Sequence, residues 1–110
     1  MIKIKLLGVF EKWGDCVKAI SLWSSAFDKQ EWSIKSDNPG KFIAKHKREG
    51  EVEITAITTK AINLYPKDTF YLMQGSEYPD KVKELQLKGC ARLDPYFATF
   101  NDMRLFEEPK

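Results

Sequence analysis

Lys45-His46-Lys47-Arg48-Glu49 is the one stretch in which a side chain that titrates near neutral pH stands among cations, because His46 is the sole histidine. A histidine beside phosphate-binding lysines can act as a general base on a phosphodiester. With no second histidine, the paired acid would have to be Glu49, Glu51 or a tyrosine. The wider segment from Lys29 to Arg48 carries six cations against two acids, Glu31 and Asp37. Cations that hold phosphate, interleaved with rings such as Trp32 and Phe42 that stack on bases, mark nucleic-acid surfaces. Lys41, Lys45, His46, Lys47 and Arg48 are therefore candidate nucleic-acid contacts. The alternative function this pattern predicts is an RNA- or DNA-binding module, or a small ribonuclease of the toxin type.

A second candidate surface lies later in the chain, where large apolar residues crowd together. Tyr65, Phe70, Tyr71, Leu72, Met73 and Tyr78 form one group, and Tyr96, Phe97, Phe100, Met103, Leu105 and Phe106 another. Core is the default destination for such side chains. Phe70 to Met73 is unbroken, however, so a strand there is apolar on both faces, and a face without a cover becomes a docking patch. Tyr, Phe, Met and Arg concentrate binding energy at protein interfaces. Tyr71, Met73, Tyr78, Tyr96, Phe100 and Arg104 are accordingly the candidate partner-binding residues.

Other chemistries have less to stand on. One histidine and the widely separated Cys16 and Cys90 give no metal-ligand spacing. The six glycines are isolated, with no phosphate cradle or dinucleotide fingerprint, so no cofactor is predicted. Ser24-Ser25 has no histidine nearby, and the carboxylate pairs Glu51/Glu53 and Glu107-Glu108 read as solubilising charge. No catalytic residue is predicted.

These side chains must be positioned by one small domain. The 110 residues support a single domain spanning 1–110, able to bury about two-thirds of its unfolded surface without metal or disulfide. A net charge of +2 demands neither nucleic acid nor an anionic membrane as partner. The uncharged run Leu6–Phe10 is too short for a signal peptide or a membrane span. A cytoplasmic location with both cysteines reduced is the expectation.

Ile2, Ile4 and Leu6 alternate with Lys3 and Lys5, the period of a half-buried strand. Asp15 is placed to cap a helix to about Phe27, with Val17, Ile20, Trp23 and Phe27 as its apolar stripe and Cys16 at the edge. In the middle, Gly40 and Gly50 suit left-handed positions closing two three-residue hairpin loops. That register pairs Trp32 with His46, Ile34 with Ala44 and Ser36 with Phe42. It then pairs His46 with Val52, Ala44 with Ile54 and Phe42 with Ala56, a three-stranded meander with His46 on its core side. The opposite face would set Glu31 against Lys47, Asp37 against Lys41, Lys47 against Glu51 and Lys45 against Glu53. Further on, Ile62 and Leu64 suit a hairpin with Leu72 and Phe70 around Pro66-Lys67-Asp68. A helical turn at 79–83 would precede a strand over Glu84–Leu93. Asp94-Pro95 would then open a short C-terminal helix.

The fold class that follows is α+β. A twisted antiparallel sheet of about six to seven strands packs on a helix in the N-terminal half and a short C-terminal helix. The function predicted first is a non-catalytic protein-binding module of the inhibitor, immunity or adaptor type, with another protein as partner. Homodimerisation through an exposed edge strand, residues 84–93, is a further expectation.

Overall fold

The computed structural model describes residues 2–64, 70–77, 82, 87–94, 96–100 and 104–105. Its elements are β1 (Ile2–Phe10), α1 (Trp13–Ser24), β2 (Trp32–Asn38), β3 (Lys41–His46), β4 (Gly50–Thr58), a 3-10 segment (Thr59–Leu64), β5 (Phe70–Met73), β6 (Leu87–Arg92) and β7 (Arg104–Leu105). All seven strands join one sheet in the order β2-β3-β4-β1-β5-β6-β7. The fold is α+β, but the sheet is mixed. β1 runs parallel to both β4 and β5, and β5 runs parallel to β6. Only the β2-β3-β4 meander and the β6-β7 pair are antiparallel.

β1 changes character along its length. Ile2 to Lys5 are exposed or half-buried, whereas Leu6 to Phe10 are all buried. A continuous apolar run belongs to a strand covered on both faces, and parallel pairing on each side is where such strands occur. Leu6 and Phe10 face α1, in one cluster with Cys16, Ile20, Trp23, Phe27, Trp32, Phe42, Val52 and Ile54. Leu7 and Val9 face the other way, into a second cluster with Ile57, Ile62, Phe70, Leu72 and Val82. Each large apolar side chain buried this way contributes about 1.5–3 kcal/mol. Gly8 lies beneath Trp23 so closely that a Cβ would run into the indole ring.

Helix α1 starts earlier than its sequence suggests. Lys12 occupies the N-cap without a side-chain hydrogen bond, and Asp15 sits in the first turn, where its charge opposes the helix dipole. Trp13 lies against Gly40, where a Cβ would sit only 2.7 Å from the ring. Gly40 is thus required by close approach and not by a left-handed backbone. The buried stripe is Cys16, Ile20 and Trp23, with Val17 half-buried. The helix ends at Ser24, and Phe27 leaves it to pair with Phe97 in an isolated parallel bridge.

The β2–β3 register matches the sequence expectation from Trp32↔His46 to Ser36↔Phe42. A bulge after Ser36 then sets Asn38, not Asp37, opposite Lys41. The β3–β4 register is two residues away from expectation: Phe42 pairs with Ile54, Ala44 with Val52 and Lys45 with Glu51. A shift of two keeps every side chain on its intended face. Its cause is Gly50, which belongs to β4 and not to a tight loop. At φ 142° its α-carbon lies against the Ile2 backbone, where a Cβ would overlap the Ile2 carbonyl oxygen.

The later chain departs further. Residues 59–64 form a 3-10 segment, and β5 pairs in parallel with β1 and β6, so the expected hairpin with Ile62 and Leu64 is not formed. Its turn at 66–68 lies outside the described residues, as do 84–86 and all of the turn at 79–83 except Val82, which is fully buried. The short C-terminal helix expected from Asp94-Pro95 does not run through 96–99; Phe100 is in 3-10 conformation, and 101–103 lie outside the described residues. Tyr96 takes a left-handed φ of 64°, Phe97 bridges to Phe27, and Arg104–Leu105 is a strand on β6. Strand β6 lies between β5 and the two-residue β7, which pairs with it only at Ala91 and Arg92.

Candidate functional site

His46 ends β3 on the core face, 4% exposed, with its ring edge-on to Trp32 at a centroid distance of 4.8 Å. Nδ1 accepts from the backbone N–H groups of Arg48 at 3.1 Å and Glu49 at 3.2 Å, so the ring itself fastens the turn into β4. The proton then resides on Nε2, which donates to the Ala98 carbonyl at 3.1 Å. Trp32 Nε1–H donates to the same carbonyl at 2.9 Å. Phe100 N–H donates to Glu49 Oε2 at 3.1 Å, so the 96–100 segment is tied to the meander by its backbone. With both ring nitrogens committed, His46 has none to offer as the general base of a ribonuclease. Its work is structural.

The lysines next to His46 point the other way. The sheet face opposite α1 carries Ser33 and Lys35 on β2, and Lys45 with Lys47 just beyond the end of β3, all exposed. Their neighbours on β4 and β1 are already matched in charge: Lys3 Nζ meets Glu51 at 3.4 Å, and Lys41 Nζ meets Glu53 at 3.3 Å. Lys41 is thereby separated from the free cations. Among the described residues, Lys29, Lys35, Lys45 and Lys47 have no ion-pair partner. Arg48 is exposed, with one guanidinium nitrogen 3.8 Å from Glu31 Oε2.

Where β2 begins and β3 ends, a groove of about 350 Å³ opens between Lys29, Glu31, Trp32, Lys45, His46 and Lys47. Its rim is cationic, and the Trp32 and His46 side chains lie buried beneath it. Glu31 Oε2 is buried there without a hydrogen bond, 3.8 Å from His46 Nε2. Sequence reasoning singled out Lys45 and Lys47 as contacts and took Lys29, Lys35 and Glu31 only into the charge balance of the segment. Lys35 was legible from the β2–β3 register, which puts it on the same face as Lys45. Glu31 was also read as the cross-strand mate of Lys47.

The aromatic candidates are dispersed. Met73 is 1% exposed in the α1-side cluster and thus withdrawn from any partner, because β5 is covered on both faces. Tyr71 and Phe100 are partly buried against that cluster, Phe100 with its ring 5.4 Å from Trp32. Tyr96 is 83% exposed. Arg104 lies on β7 opposite Arg92, and Tyr78 is outside the described residues.

Burial pushes the Cys16 thiol above its usual range; a backbone hydrogen bond opposes this, and the nearby charges of Asp15 and Glu77 add to it. Such a thiol is inert. Neither Cys16 nor Cys90 is in a disulfide, and among the described residues no group of three His, Cys, Asp or Glu side chains could hold a metal. No described helix is long and apolar enough to cross a membrane. No protein-family model, curated protein or solved structure matches this chain.

Proposed function

We propose that this chain is a nucleic-acid-binding module that holds phosphates on the open face of β2 and β3. The observation that supports the reading is the set of unpaired cations, Lys35, Lys45 and Lys47, exposed on one sheet face with Lys29 beside them. Protein interfaces are built around aromatic or aliphatic anchors and are depleted in lysine. This face has only half-buried Ile43 at its centre. Mobile ammonium groups on a polar surface suit a row of phosphates, whereas recognition of a single carboxylate favours the arginine fork.

Binding should therefore be driven by counterion release. Fluorescence anisotropy with a labelled single-stranded oligonucleotide should give a log K versus log salt slope of roughly −3 for four phosphates. Lys45→Gln with Lys47→Gln should weaken binding at least about tenfold, with the melting temperature checking that the fold is kept. An oligonucleotide that fails to bind the parent protein even at low salt would sink the proposal.

A second reading is the non-catalytic protein-binding module of the inhibitor, immunity or adaptor kind. One observation favours it: Tyr96 displays a large ring to solvent from a left-handed backbone that costs a non-glycine residue about 1–2 kcal/mol. Tyr96→Gly would relieve that strain and raise stability. A partner whose affinity drops on the same change would support this reading over the first.

A further inference from the structure

We propose that the outer edge of β2 is a strand-addition site for an extended partner segment alternating acidic and apolar residues, an inference independent of whether the open face holds phosphates. β2 ends the sheet, so among the described residues no strand lies along its outer side. Which backbone groups face that side follows from the pairing with β3. Lys47 N–H donates to the Glu31 carbonyl at 3.1 Å, and hydrogen-bonded pairs alternate along an antiparallel ladder. Ser33 and Lys35 therefore exchange bonds with Lys45 and Ile43, whereas Trp32, Ile34 and Ser36 direct theirs outward. Trp32 N–H is taken by the Asp28 carbonyl at 2.9 Å, on the outer side as that alternation requires. Both backbone groups of Ile34 and the Ser36 N–H are left there, Ile34 half-buried and Ser36 exposed. Outward donors and acceptors on alternate residues are what an added strand pairs with.

The side chains beside this edge choose the occupant. Lys35 stands on the open face, with Lys45 behind it on β3, and Ile34 stands on the α1 side against the core cluster. An incoming strand therefore sets acidic side chains beside Lys35 and apolar ones beside Ile34. The molecule already builds this complement once. On the open face β4 lays Glu51 across from Lys45 and Glu53 across from Ile43, and on the core face Val52 and Ile54 across from Ala44 and Phe42. A second copy fits poorly, because antiparallel pairing of two β2 edges brings a second set of the same lysines to one face, where like charges repel. Nucleic acid is drawn to those lysines but offers no peptide ladder to Ile34 and Ser36.

NMR titration of the intact, isotope-labelled protein tests this, using a capped peptide of the length of β2, 7 residues, that alternates Glu and Val. The Ile34 and Ser36 amides should gain about tenfold or more protection from solvent exchange, while those of Ser33 and Lys35, already bonded to β3, change little. The matching Lys-Val peptide should protect none of them. Lys35→Glu should weaken the Glu-Val peptide about threefold or more, with the melting temperature checking that the fold is kept. Ile34 and Ser36 amides that stay unprotected at saturating peptide overturn the edge site. A Glu-Val peptide with N-methylated amides that binds as tightly overturns strand pairing and leaves charge attraction alone. Protection of the same two amides without peptide, rising with protein concentration, makes a second copy the occupant and overturns the acidic partner.

Discussion

On the sheet face turned away from α1, Ser33, Lys35, Lys45 and Lys47 are open to solvent, while three strands further along Leu7, Val9, Phe70 and Leu72 are buried in one cluster with Ile62 and Val82. Both regions belong to the same sheet and share the same α1-side core. The meander half alternates apolar and charged residues and pairs antiparallel. The β1-β5-β6 half has continuous apolar runs and pairs in parallel. The cover over one half is made by the segments that link its parallel strands, which a meander of tight turns does not have. The difference teaches where this molecule can bind: the broadest open surface lies over the strands joined by short connections.

The contrast can be broken most forcibly at Leu72, which is wholly buried on the covered half. Leu72→Ala should lower unfolding free energy by about 2–5 kcal/mol in urea titrations. A loss below about 1 kcal/mol would mean that the second cluster is loosely packed and the two halves are less different than described. His46→Phe comes next. It keeps the ring against Trp32 but strips acceptors from the Arg48 and Glu49 amides and the donor from Ala98, a change worth about 1–3 kcal/mol. An unaltered melting temperature would show that the 96–100 segment does not depend on this clamp.

Cys16 gives a smaller effect that depends on pH. Its thiol titrates higher in the folded chain than in the unfolded one, so the neutral form is favoured by folding. Its contribution is complete below about pH 8.5, the unfolded thiol value, and is lost as pH rises toward the folded value. Parent and Cys16→Ala proteins should therefore converge in stability between neutral and strongly alkaline pH. A constant gap contradicts the burial. The smallest effect belongs to the open half: Lys35→Ala and Lys45→Ala should each alter stability by no more than about 0.5 kcal/mol. A larger loss would place these lysines in the fold's own energetics and weaken their claim as a binding surface.

Local patterns in the chain carried the meander half well. Alternation, opposing charges and short connections placed Trp32, Ile34, Ala44 and His46 on one face and the lysines on the other, because every signal there acts over a few residues. The β3–β4 register was misjudged because Gly50 answers to Ile2, a neighbour nearly fifty positions away in the chain. Parallel pairing leaves no turn to read. The run Phe70–Met73 showed that β5 is apolar on both faces, yet nothing local named β1 and β6 as its partners. Aromatic spacing after Asp94 looked helical, while the segment is held by backbone bonds to Trp32, His46 and Glu49 that only tertiary structure supplies. The groove was hidden for the same reason, since Lys29 and Lys47 meet only once β2 and β3 pair.

The central place of β1 has a consequence for synthesis. Its neighbours begin at Gly50 and Phe70, so β1 leaves the ribosome well before either partner exists. The intervening meander can close on itself meanwhile, from contacts short in sequence, whereas the parallel contacts of β1 are the long loops that fold slowly. During that delay Leu6–Phe10 is an unpaired apolar strand, the kind of segment chaperones shield and neighbouring chains capture. Yield in cells should therefore respond to the speed of translation through residues 50–73 more than to the stability of the finished fold.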